Sequence, residues 1–202
     1  AAPGAAPAAA RLAVLITERG LGGNSVDLDH RLSRFATEKG ARAEAAGGLA
    51  KRLAGQAATH PLPVKDGERE ASTPASSRPS RGEGKREGQT TGAGPLLLHA
   101  YPDRIAMARG AYGRYVLANG RGAVLDEAEA LAREKFLVVA DLQGAAQNAR
   151  IAAAAEVAEE DIRAALAHRI ERRRETLFDR ERRSVRVRET ERLGAIQLAE
   201  RL

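Results

Sequence analysis

The sequence predicts an α+β fold, with helices in the first quarter of the chain and a small stranded unit followed by a β-meander in the second half. Three observations predict it. Apolar residues recur at helical spacing up to Ala54. The turn tetrad Asn119-Gly120-Arg121-Gly122 separates two short runs that favour extended backbone. Finally, Phe136 to Leu142, FLVVADL, is a continuous apolar run with a β-branched centre, as expected of a strand buried on both faces.

The first helix is predicted over Ala5 to Arg19, where Leu12, Leu15 and Ile16 share one face and Gly20, Gly22 and Gly23 stop the periodicity. The polar Asn24 to Asp27 offers N-caps for a second helix carrying Leu28, Leu32 and Phe35 and ending at Gly40. A third runs from Ala41 to Ala54 with Ala45, Leu49 and Leu53 in line. Gly47-Gly48 in its middle costs about 1 kcal/mol per glycine against alanine, which predicts a weak or broken helix there. Three thin apolar stripes bury little, so these helices read as part of a bundle with further members elsewhere.

Residues 56–94 are rich in Pro, Ser, Gly and charge, with almost no large apolar side chains. Such a segment does not offset the entropy of ordering and reads as a disordered linker. Gly82-Glu83-Gly84-Lys85-Arg86 superficially suggests a phosphate loop, but Arg86 stands where a hydroxyl is needed and no strand precedes it.

Pro95 to Arg109 is expected to open with an apolar helix, Leu96-Leu97-Leu98 then Ala100, Ile105 and Met107, and Pro102 suits a helix start or a kink, with a break at Tyr101. Gly113 to Ala118 and Ala123 to Leu125 are strands on either side of the turn tetrad, Glu127 to Arg133 is a short helical or turn segment, and Arg150 to Ala154 is a partner strand for FLVVADL. Glu156 to Arg169 reads as a helix with Val157, Ile162, Leu166 and Ile170 roughly on one face. Glu159, Glu160 and Asp161 lie in its first turns, where the helix dipole favours negative charge. In the tail, Val185 and Val187 alternate with Arg186 and Arg188, which predicts strands with arginines along one face.

Composition narrows the chemistry. The chain is 43% hydrophobic, but much of that is alanine, and it is 3% aromatic with a net charge of +6. The basic excess suits a polyanionic partner. No cysteine is present, which removes disulfides and thiolate metal sites. No apolar run approaches the roughly 20 residues of a membrane span, and a cytoplasmic protein is expected. The alanine-rich start lacks the basic leader of a signal peptide and predicts the interior of a longer protein. His30, His60, His99 and His168 show no ligand spacing. Asp103 reads as a turn residue or an ion pair with Arg104, and its pairing with Asp141 as catalytic carboxylates would need an accident of fold. Arg104, Arg109, Arg114 and Arg121 fall in or beside turns of the stranded unit, with Tyr112 and Tyr115 among them. Small barrels hold single strands with a basic groove and stacking rings. Tyrosines in the core and solvated arginines fit the same residues equally well.

The segments LLLHAYPDRIAMARG, GRYVLANGRGAVL, EALAREKFLVVADLQG and ARIAAAAEV, and then RRSVRVRETERLGAIQL, resemble the C-terminal region of the bacterial HrpB-type ATP-dependent helicases of the DEAH/RHA group. ERGLGGNSVDLDHRLSRF resembles the late part of their helical associated domain more weakly. The resemblance implies a helical helicase-associated remnant over 1–55, an OB-like domain over 95–170, and a C-terminal meander over 171–202. It implies an accessory part of an RNA helicase that contacts a single strand and packs on RecA-like motor domains. The candidate contacts are Arg104, Arg109, Arg114 and Arg121 to phosphates and Tyr115 as a stack. No motor motif is legible, so ATP and Mg are expected only in motor domains, with no catalytic residue, cofactor or metal in this chain. The alternative is a scaffold that docks a partner without touching nucleic acid.

Overall fold

The computed structural model describes residues 5–59, 92–144, 148–179 and 184–201. Most of the segment expected to be a linker, residues 60–91, lies outside them. At its margins, residues 56–59 and 93–94 are helical.

Three helices come first: α1 (Ala5–Thr17), α2 (Leu28–Thr37) and α3 (Ala41–Thr59). Leu12, Val14 and Leu15 of α1 are buried, and Ile16 is partly so. Asp27 caps α2, its Oδ1 accepting from the backbone N–H of Asp29 at 2.8 Å and of His30 at 3.3 Å. The expected break at Gly47-Gly48 does not occur, and α3 runs through both glycines. Its buried residues are Ala43, Ala46 and Ala50, with Leu49 partly buried against the same core, whereas Ala45 and Leu53 are exposed. Small residues allow α3 to lie close on α1, and that packing outweighs the glycine propensity.

Helix α4 (Ala93–Ala100) is apolar and ends at Tyr101, where Pro102 forbids its continuation. The expectation that places Ile105 and Met107 on a helix is corrected here. A 3-10 turn (Pro102–Arg104) leads into strand β1 (Ile105–Ala108). Ile105 faces the core shared with the helices, while Ala106 faces the barrel interior. This period of two belongs to a strand paired on both sides.

β1 is followed by β2 (Arg114–Leu117), β3 (Gly122–Val124), β4 (Phe136–Gln143) and β5 (Ala149–Glu156). They close into a barrel in the order β1-β2-β3-β5-β4, antiparallel throughout except for the parallel β3–β5 pair. Five strands closed in this way form an OB-like barrel. β4 is buried on both faces, as its run of apolar residues predicts. Phe136, Val138 and Ala140 face the helices, and Leu137 and Val139 fill the barrel.

The helical segment and the barrel share one core. Leu97 and Leu98 of α4 lie between α1 and the outer faces of β4 and β5. Gly94 of α4 sits so close to β5 that a Cβ there would collide with the Glu156 carbonyl oxygen. The apolar faces of α1 and α2 are covered by each other, by α3, by α4 and by the barrel, whereas α3 packs on α1 and leaves Leu53 exposed.

After β5, Glu156 ends the strand, and α5 is only Glu159–Ala165, shorter than the helix expected over Glu156 to Arg169. A separate three-stranded antiparallel sheet closes the chain: β6 (Glu171–Asp179), β7 (Ser184–Leu193) and β8 (Ile196–Arg201). Its turn docks on the barrel. The Ala195 N–H donates to the Ala118 carbonyl at 2.8 Å, and Gly194, at φ +56°, leaves no room for a Cβ against the same oxygen. The architecture is therefore α+β throughout: helices, OB-like barrel, short helix and meander. Among the described residues, no helix is long and apolar enough to cross a membrane.

Candidate nucleic-acid interface

The candidate site residues separate to two ends of the barrel. Arg109 and Arg114 stand at one end, where the Arg109 N–H donates to the Arg114 carbonyl at 2.8 Å across the β1–β2 loop. Arg104 and Arg121 stand at the other, before β1 and after β2. β2 spans about 10 Å between them at roughly 3.3 Å per residue.

Arg104 is half-buried, and its Nη1 donates to the Ala140 carbonyl at 2.8 Å. Its guanidinium also lies 5.1 Å from the Tyr101 ring centroid. The β4–β5 register skips Ala140, so its carbonyl leaves the ladder and Arg104 satisfies it. Arg121 is exposed in the β2–β3 turn, where its N–H donates to Asn119 Oδ1 at 3.1 Å. The meander turn docks beside it.

Tyr115 does not present a face for stacking. It is 3% exposed, packed inside the barrel, with its hydroxyl 2.7 Å from the Leu131 carbonyl oxygen and 3.0 Å from that of Glu134. Burial, and then the charge of Glu134, push the Tyr115 phenol up to about 12. The expected stack at Tyr115 is thus corrected, because β2 alternation turns Arg114 outward and the next residue inward. Tyr112 is the exposed ring, at 65%, in the β1–β2 loop, with the Arg133 guanidinium 5.8 Å from its centroid.

The registers build a row that local sequence does not reveal. Arg114 pairs with Val124, Val124 pairs in parallel with Arg150, and Arg150 pairs with Gln143. Cross-strand partners share a face, so exposed Arg114 and Arg150 flank Val124 on the outer surface, about 10 Å apart. Arg150 and Arg133 join this end only through tertiary structure. Their one signal in the sequence is that each arginine sits beside apolar residues. Strands 2 and 3, with the loop between strands 1 and 2, are the surface on which OB barrels hold oligonucleotides.

Of the arginines expected along one face of the meander, the Arg186 side chain lies outside the described residues, and others stand in ion pairs at the surface. Arg172 pairs with Glu191 at 3.0 Å, Arg174 with Glu189 at 3.7 Å and Arg188 with Glu200 at 2.7 Å. Asp103 pairs with Arg169 at 2.9 Å, not with Arg104. Among the described residues, no group of three or more His, Asp and Glu gathers to hold a metal.

No family model matches the chain. The ATP-dependent RNA helicase HrpB of Escherichia coli (strain K12) is 54% identical over 59 residues, which make up 28% of this chain and 7% of that protein. This chain is homologous to part of HrpB. Two crystal structures of Escherichia coli HrpB, described as a DExH-box NTPase and as a DEAH/RHA helicase, extend the likeness across the fold. They superpose with TM-scores of 0.66 and 0.64 at 23% identity, each covering 96% of this chain. The chain spans 20% of the length of each HrpB chain.

Proposed function

We propose that this chain is the accessory, strand-contacting portion of an RNA helicase of the HrpB kind. The observation that carries the proposal is the registered row Arg114–Val124–Arg150 beside exposed Tyr112, on the face where an OB barrel takes a single strand. The two arginines neutralise phosphates, and Tyr112, backed by Arg133, supplies a ring for a base. On this reading Arg109 lies at the rim of the same face, while Arg104 serves the fold. RecA-like motor domains, as partners of this portion, would hold ATP and Mg and perform the hydrolysis.

Titration of the 202-residue chain with labelled single-stranded RNA between about 50 and 200 mM salt tests this reading. Binding that weakens steeply with salt is expected. Arg114→Ala and Arg150→Ala should each lower the salt slope by about one, and Arg104→Ala should leave it alone. Absence of binding, or binding indifferent to salt, would overturn the reading and favour a docking scaffold.

A further inference from the structure

A polar cleft of about 500 Å³ lies between the α1–α2 loop, the end of β4 and the middle of β5. One wall is the glycine-rich loop, with Arg19, Asn24 and Ser25; the floor carries Asp141 and Gln143. The wall is built and held. Arg31 spans it, donating from Nε to the Leu21 carbonyl at 3.3 Å and from Nη2 to the Leu15 carbonyl at 3.1 Å. Glu38 fixes the loop from behind by accepting from the Gly22 N–H at 2.8 Å.

The floor is a double irregularity in the sheet. The β4–β5 register skips Ala140 on one strand and Ala152 on the other, with Asp141 between the two shifts. Such bulges re-aim side chains. The buried run of β4 stops at Ala140, and the cleft begins there; Asp141 and Gln143 are exposed. Among the described residues the Asp141 carboxylate has neither hydrogen-bond nor ion-pair partner. Gln143 is also the last member of the row from Arg114 through Arg150, so the cleft opens where that row ends.

We propose that the cleft receives one base of a bound single strand and that Asp141 selects guanine. This rests on the strand-binding reading above. An ionised carboxylate only accepts hydrogen bonds. Guanine alone offers two adjacent donors on its Watson–Crick edge, N1–H and the N2 amino group, which meet the two carboxylate oxygens together. Adenine and cytosine place an acceptor beside their amino group, and uracil sets its one imino proton between two carbonyls. Single-stranded RNA is read through such splayed bases.

The test uses the whole 202-residue chain and fluorescence anisotropy with a labelled oligouridine of about eight residues. The same strand carries, in turn, one central guanosine, adenosine or cytidine. The guanosine strand should bind roughly 10-fold tighter than the others. Asp141→Asn, with an unchanged circular dichroism spectrum, should abolish that difference. Equal binding of all four strands by the native chain, or a guanosine preference that survives Asp141→Asn, overturns the inference while leaving strand binding intact. If no strand binds, the strand-binding reading fails and the inference falls with it. Guanosine monophosphate binding as tightly as the guanosine strand would assign the cleft to a free nucleotide and overturn the strand assignment.

Discussion

Val26, in the loop between α1 and α2, is buried within the barrel core, and its carbonyl accepts a hydrogen bond from the Ala154 N–H at 2.9 Å. Asp27 continues this contact as a parallel bridge to Ala154. β3 pairs with β5 only at the start of β5, so the rest of that edge is free to take the loop. Helices and barrel are therefore expected to unfold together. Val26→Ala, which removes two buried methyl groups, should destabilise both by about 2 kcal/mol. Urea titration followed by far-ultraviolet circular dichroism and by tyrosine fluorescence should give coincident transitions. Two separate midpoints would show that the loop does not couple them.

Two glycine substitutions should act in opposite directions. Gly94→Ala pushes a methyl group into the Glu156 carbonyl and should destabilise by about 1–3 kcal/mol. Gly48→Ala on α3 meets only the flexible end of Arg52 at 3.9 Å. It should stabilise by roughly 0.5–1 kcal/mol through helix propensity. Thermal melts of the two variants check the contrast.

The tyrosines should divide stability from binding. Tyr115→Phe removes the hydroxyl held by the Leu131 and Glu134 carbonyls and should cost about 1 kcal/mol of stability. RNA affinity should not change. Tyr112→Ala should leave the melt unchanged and weaken RNA binding by about 1–3 kcal/mol. A Tyr112 variant that binds as the native chain does would remove the ring from the proposed interface.

Glu156 gives a pH dependence with a definite sign. Burial first, then the neighbouring Glu134, raise its carboxyl above the ordinary 4.5. The native state therefore holds the proton more tightly than the unfolded chain. Stability attached to this group is full below 4.5 and is lost as pH rises through the native value. Glu156→Gln should raise the melting temperature at neutral pH, with the gain shrinking towards zero as pH falls below 4.5. A gain that is the same at every pH would exclude ionisation of Glu156 as the cause.

Local rules in the chain determined the element types wherever periodicity was strong. Leu12 and Leu15 mark α1, Asp27 caps α2, the Asn119–Gly122 tetrad turns β2 into β3, and the unbroken run from Phe136 yields a strand buried on both faces. The same rules misjudged short or permissive stretches. Ile105 to Ala108 is four residues long, so neighbouring strands chose its period. Gly47-Gly48 lies in a helix held by the packing of small residues on α1. The barrel closure, the row joining Arg114 to Arg150, the burial of Tyr115 and the setting of Asp141 were decided only by tertiary structure. Each depends on pairing between residues far apart in the chain, and no local preference encodes which distant backbone will supply the partner.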